Sequence, residues 1–222
     1  MNAFWKDRNM RAFLMLLLAA TLCTPTARAA GEKAGTFDYY VLALSWTPTW
    51  CALTGDARGA PECSDTADAA WTLHGLWPQY HRGWPSFCPT AERPPSRSMT
   101  EDMSDIMGSG GLAWYQWNKH GRCTGLSAPA YYALTREAWG RITRPELFAQ
   151  LTRPVKLPAR VVEDAFLKEN SELEPDMLTI TCKSGRIGEV RLCLSRTLDP
   201  VPCGQDVVRD CTLKDALLDP VR

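Results

Sequence analysis

The chain has no excess of charge of either sign: 25 lysines and arginines balance 25 aspartates and glutamates over 222 residues. Proteins that hold long nucleic acid through its phosphates are usually strongly basic, so non-specific clamping is not signalled, although a small local nucleotide site remains open. Histidine is scarce, with only His74, His81 and His120. No two cysteines stand in the C-x-x-C spacing of structural zinc sites, and no H-E-x-x-H helix motif occurs. The chain also lacks a P-loop, a dinucleotide glycine fingerprint and a G-x-S-x-G elbow. Beyond residue 30 no apolar stretch is long enough to span a bilayer, and no Asn-x-Ser/Thr acceptor site is present.

What is present begins with a targeting segment. Lys6, Arg8 and Arg11 precede the apolar run Ala12 to Leu22, and Ala27-Arg28-Ala29 offers small residues where a signal peptidase reads. Residues 1–29 are therefore expected to be removed, leaving 30–222 as one soluble domain in the periplasm or outside the cell, with no membrane contact and as a monomer. A lipoprotein signal ending at Cys23 is the alternative, weakened by Leu22 where a small residue is usual. Eight cysteines follow: Cys51, Cys63, Cys88, Cys123, Cys182, Cys193, Cys203 and Cys211. An even number in an exported chain reads as a disulfide framework, but counting leaves 105 pairings open.

Phe37 to Ser45 reads as a buried strand, Trp46 to Pro61 as a loop, and Trp71 to Leu76 as a second strand entering a turn at Pro78. Gln79 to Pro95 is proline-rich and irregular. Helices are predicted over Leu112 to Lys119 with a stop at Gly121, over Ala130 to Arg141 behind a Ser127 cap, and over Pro145 to Leu151 and Pro158 to Asn170. Leu178 to Lys183 and Ile187 to Leu194 form a hairpin around Ser184-Gly185, and the last residues form a loop held by Cys203 and Cys211. Strands at both ends with helices between them predict an α+β fold with a mainly antiparallel sheet.

Two of the three histidines lie in aromatic segments: Trp71-Thr72-Leu73-His74-Gly75-Leu76-Trp77-Pro78-Gln79, and Trp114-Tyr115-Gln116-Trp117-Asn118-Lys119-His120-Gly121-Arg122-Cys123. Imidazole titrates near neutrality, so two in one cleft can take and give a proton. RNA carries its own nucleophile, the 2′-hydroxyl, and needs that pair together with a cation and a donor for the charge growing on the phosphate. Gln116 and His120 are four apart and share a helix face, with Lys119 beside them. Packing of histidine among tryptophans, or metal binding by the three histidines, would use the same residue types. No spacing supports the metal.

His74-Gly75-Leu76-Trp77-Pro78 matches the first signature of the ribonuclease T2 family, and Trp114 to Gly121 resembles the second, W-x-H-E-W-x-K-H-G-x-C. The opening strand through Trp46-Thr47-Pro48 and the terminal block of four cysteines resemble the family as well. The resemblance implies His120 as general base toward the 2′-hydroxyl, His74 as general acid toward the leaving group and Lys119 as the stabilising cation. A 2′,3′-cyclic phosphate would form with neither metal nor cofactor. It also implies the pairs Cys51–Cys63, Cys88–Cys123, Cys182–Cys211 and Cys193–Cys203.

Tyr115 and Gln116 stand where the family usually has histidine and glutamate. Tyr115 can partly replace a phosphate contact, and Gln116 can donate an N–H but cannot shuttle a proton. Without a carboxylate beside His120, the expected activity optimum lies nearer neutral than the family's acid optimum. Trp77 and Trp84 are candidates for stacking on unpaired bases and Gln79 for bonding a base edge. Trp84 packed on the Cys88 disulfide is the competing reading, and His81 and Arg82 read as solvated loop residues. The expected function is a metal-independent endoribonuclease acting on single-stranded RNA. The alternatives are a weakened ribonuclease-like protein that binds RNA or another partner, and a zinc hydrolase.

Overall fold

The computed structural model describes residues 32–222, which form one compact unit from Glu32 to Arg222. The expected signal segment and Cys23 lie outside the described residues. The sheet has six strands: β1 (Tyr39–Trp46), β2 (Trp71–Gln79), β3 (Val155–Leu157), β4 (Leu178–Lys183), β5 (Arg186–Leu194) and β6 (Ala216–Leu218). They run in the order β2-β1-β5-β6-β3, with β4 also on β5, and every pairing is antiparallel except β5 with β6. The α+β architecture with a mainly antiparallel sheet is thus the observed one.

Alternation along the strands gives the sheet two faces. Leu42 and Leu44 of β1, Leu73 and Leu76 of β2, and Val190, Leu192 and Leu194 of β5 are buried in the main core. Helices complete that core: α5 (Gly110–Lys119) through Ala113 and Trp117, α6 (Ala128–Arg141) through Tyr131 and Ala138, and α7 (Ala159–Glu169) through Val162 and Phe166. Tyr39, Val41 and Cys193 belong to a smaller second cluster, with Val207 buried among them and Trp77 packed against it.

The structure departs from the sequence reading in places that have physical causes. The segment after β1 is a run of short helical turns rather than a loop, α1 (Thr47–Trp50), a π turn over Cys51–Gly55 and α2 (Asp56–Arg58), with Pro48 in the first turn where its missing N–H costs nothing. Strand β2 does not turn at Pro78; Pro78 pairs with Tyr40 inside it. Because β2 is the edge strand, an absent N–H on its outer side breaks no ladder. The helix expected over Pro145 to Leu151 shrinks to a single 3-10 turn, Glu146–Phe148, since so short a segment cannot offset the cost of nucleation. Ser127 precedes α6 but makes no side-chain cap bond. Two short helices, α3 (Arg97–Glu101) and α4 (Ser104–Met107), and the three-residue strands β3 and β6 were not foreseen. The hairpin β4–β5 does turn at Ser184-Gly185, both with positive φ (51° and 76°), as a tight primed turn requires.

Disulfides join Cys51 to Cys63, Cys88 to Cys123, Cys182 to Cys211 and Cys193 to Cys203. These are the four pairs that the family resemblance implies. Among the described residues, no helix is long and apolar enough to cross a membrane.

Candidate active site

A β-bulge places His74. Ala43 pairs with Gly75 and Leu44 with Leu73, so His74 has no partner residue on β1. The extra residue shifts the alternation by one: Trp71 and Leu73 face the main core before it, Leu76 and Pro78 are buried after it, and Trp77 packs against the cluster on the opposite face. With its side chain about a third exposed, His74 can meet both solvent and protein.

The second histidine caps α5. The helix starts at Ser109, whose hydroxyl accepts the Leu112 N–H at 3.2 Å, and ends with the His120 N–H donating to the Gln116 carbonyl at 2.9 Å. Gly121 is required by contact rather than by φ: a Cβ there would lie 2.6 Å from the Trp117 ring and 2.8 Å from that of Tyr131. The chain therefore leaves the helix flush against the core, and His120 is only 5 % exposed.

Trp77 brings the two imidazoles together. Its indole stacks on His120, with centroids 5.3 Å apart and planes at 27°, and meets His74 edge-on at 5.1 Å. The indole N–H donates to the Gln116 side-chain oxygen at 2.7 Å. An indole can only donate, so this bond fixes which end of the Gln116 amide is oxygen. Gly75 makes the approach possible, because a Cβ there would lie 2.4 Å from that oxygen.

The electrostatics of the two rings differ. Burial, then the neighbouring Lys119 charge and that of His74, pushes His120 down from 6.5 to about 3, and its Nδ1 is buried with no hydrogen-bond partner among the described residues. His120 is thus a neutral base over most of the pH range. His74 Nδ1 instead lies 2.5 Å from Glu189 Oε1, while Glu189 Oε2 accepts from Arg191 Nε and Nη2 at 2.9 and 2.7 Å. Burial opposes ionisation of Glu189, but the bonds and charges of His74 and Arg191 win and hold its carboxyl at about 2. The Arg191 guanidinium also lies 5.4 Å from the Trp77 ring centre. Neither Glu189 nor Arg191 was a candidate from the sequence.

The remaining candidates divide by exposure. Lys119 Nζ sits 5.9 Å over the exposed Tyr115 ring. Its carbonyl accepts the N–H of Phe87, an exposed residue of the loop tethered by Cys88. Trp84, in the same loop, is half exposed rather than packed away. Gln79 is buried at 4 % exposure, so its side chain faces protein rather than solvent. His81 is exposed and its ring approaches Asp38 instead. Cys51, Asp56 and Cys63 bring three potential metal-binding atoms together, but the two sulfurs are bonded to each other and present no thiolate.

Comparison with known proteins follows the same lines. A "Ribonuclease" of Aeromonas hydrophila is 39% identical over 124 residues, 56% of this chain and 54% of that protein. "Ribonuclease I" of Escherichia coli K12 is 30% identical over 172 residues, 60% of this chain and 63% of that protein. The matches thus span between half and two thirds of these relatives. Among solved structures, trichomaglin, described as a novel S-like ribonuclease, superposes with a TM-score of 0.65 at 19% identity, covering 84% of this chain and all of that one, a likeness of fold. The profile of the Ribonuclease T2 family matches residues 37–203, taking in both histidine segments, and the chain belongs to that family.

Proposed function

We propose that the protein is a metal-independent endoribonuclease that cleaves single-stranded RNA by transesterification to a 2′,3′-cyclic phosphate. The observation that carries this is one indole packed against two imidazoles, one buried and the other bonded to a carboxylate. His120, held neutral by burial, takes the 2′-hydroxyl proton as the oxygen attacks phosphorus. His74, paired with a carboxylate, gives its proton to the departing 5′-oxygen. Lys119 supplies positive charge toward the phosphate oxygens, and the NH2 of Gln116, whose oxygen is committed to Trp77, is the neutral donor. Tyr115 and the half-exposed Trp84 line the approach, Trp84 being better presented than Gln79 for contact with an unpaired base. Export of the chain after removal of residues 1–29, to the periplasm or beyond, and action as a monomer complete the reading.

Purified protein incubated with polyuridylate in excess EDTA tests it. Cyclic-phosphate ends are expected, and a His120→Ala variant should lose at least about a hundredfold in rate. A variant cutting as fast as the parent removes the base assignment. A second reading, a weakened ribonuclease-like binding protein, is favoured by Gln116, which cannot carry a proton. Retention of polyuridylate without any cleavage would select it.

A further inference from the structure

We propose that Glu189, backed by Arg191, is the positioning residue of His74: it holds the ring in one orientation and fixes which ring nitrogen delivers the proton. The inference rests on His74 being the general acid.

Glu189 and His74 lie on strands that do not touch, β5 and β2, with β1 between them. Two strand spacings separate their backbones, roughly 9–10 Å. The register shows how the side chains cross that gap. Ser45 pairs with Glu189, and Ala43 pairs with both Gly75 and Arg191, so only small residues occupy the row beneath. Each end of the crossing is a bulge. His74 is the extra residue on β2. On β5, Thr181 pairs with Glu189 and Cys182 with Ile187, which leaves Gly188 unpaired beside Glu189. The Glu189 N–H then donates to the Thr181 hydroxyl at 3.1 Å.

A surface ion pair would be adventitious; this one is built in. The Glu189 side chain is 16 % exposed, one of its oxygens is given to His74 Nδ1 and the other to two donors of Arg191. A carboxylate can only accept, so Nδ1 must carry its hydrogen and the labile proton sits on Nε2. In the reaction the Nε2–H bond breaks, the proton passes to the 5′-oxygen as the P–O5′ bond breaks, and the ring is left neutral with Nδ1–H still bonded to Glu189. The titratable and charged groups near His74 are Glu189 and Arg191 from β5 and the neutral His120 at the end of α5, with Lys119 beside His120. Of these only Glu189 is negative, and it alone accepts a hydrogen bond from the ring.

A pair of substrates separates this role from simple support of the fold. In a uridylyl-adenosine dinucleotide the leaving alkoxide needs a proton, whereas the 4-nitrophenolate of uridine 3′-(4-nitrophenyl phosphate) leaves without one. Glu189→Gln is expected to lower kcat on the dinucleotide about 10- to 100-fold, to change the nitrophenyl ester less than about threefold, and to move the alkaline limb of the dinucleotide pH profile to lower pH. In a His74→Ala background the same substitution should add nothing. Equal losses on both substrates, or additive losses in the double variant, overturn the proposal. If His74→Ala itself loses equally on both substrates, the acid assignment fails instead. Nitrogen NMR of the unaltered protein gives a check that needs no variant. Once titrated to its neutral form at high pH, His74 is expected to keep its hydrogen on Nδ1, and a neutral ring with its hydrogen on Nε2 overturns the proposal.

Discussion

Trp77 donates its indole N–H to the side-chain oxygen of Gln116 across 2.7 Å, joining the edge strand of the sheet to the last turns of α5. The bond passes directly over Gly75, where a Cβ would sit 2.4 Å from the Gln116 oxygen and 2.5 Å from the Trp77 nitrogen. Gly75→Ala is therefore expected to part Trp77 from Gln116 and lower kcat/KM at least about tenfold, at a stability cost of about 1–3 kcal/mol, the range for overpacking. Steady-state kinetics beside urea unfolding would show whether activity falls well beyond stability.

The pH profile should reflect the buried base. The sequence alone suggested an optimum near neutrality, because Gln116 removes a carboxylate from the neighbourhood of His120. Burial alters that expectation. With His120 pushed down to about 3, the base remains unprotonated far below neutrality. The kcat/KM of the folded enzyme should therefore show no loss of the base on the acid side until pH falls to about 4. A fall with its midpoint near 6.5, the ordinary histidine value, would show that the ring is not shielded in this way.

Stability should move in the opposite sense. His120 has a lower pKa folded than unfolded, so protons favour the unfolded chain, and its contribution, complete above 6.5, is lost as pH falls toward about 3. Glu189 is also depressed; its contribution is present above 4.5 and lost as pH falls through about 2. Urea midpoints should therefore decline continuously from pH 7 to pH 3. His120→Asn should flatten the decline between 6.5 and 4.5 and leave the part that Glu189 contributes below 4.5.

The Cys88–Cys123 bridge closes a loop of 35 residues between the two histidine segments. Replacing both cysteines by alanine is expected to cost about 2–5 kcal/mol. It also frees the segment whose Phe87 N–H holds the Lys119 carbonyl at 2.8 Å. Removing the Cys51–Cys63 bridge, which lies outside the site, should lower stability while sparing kcat. Thermal unfolding and turnover measured on both double variants would separate the two effects.

The chemistry-bearing segments were legible because their residues are local. His74 with Trp77, and Gln116 with Lys119 and His120, each fall within a few residues, and helix spacing alone placed the second group on adjacent turns. Glu189 and Arg191 were not legible, since nothing in their own strand distinguishes them from solvent-facing charges. They become partners of His74 only through two bulges and the register of an intervening strand, which are tertiary facts. Pro78 misled for a related reason: whether proline ends a strand depends on whether the strand has an outer neighbour. The strands β3 and β6, at three residues each, carry too little pattern to be read, and their pairing is set by where the folded chain's end returns to the sheet.

Strand β5 presents Val190 and Leu192 to the main core and Glu189 and Arg191 to the reactive face. One backbone thus carries both the packing that keeps the fold and the charges that serve the histidine. The inner side of that ribbon is close-packed, and its outer side holds a carboxylate within bonding reach of an imidazole two strands away. On the proposed mechanism, core substitutions under β5 are expected to register in turnover as well as in the melting curve.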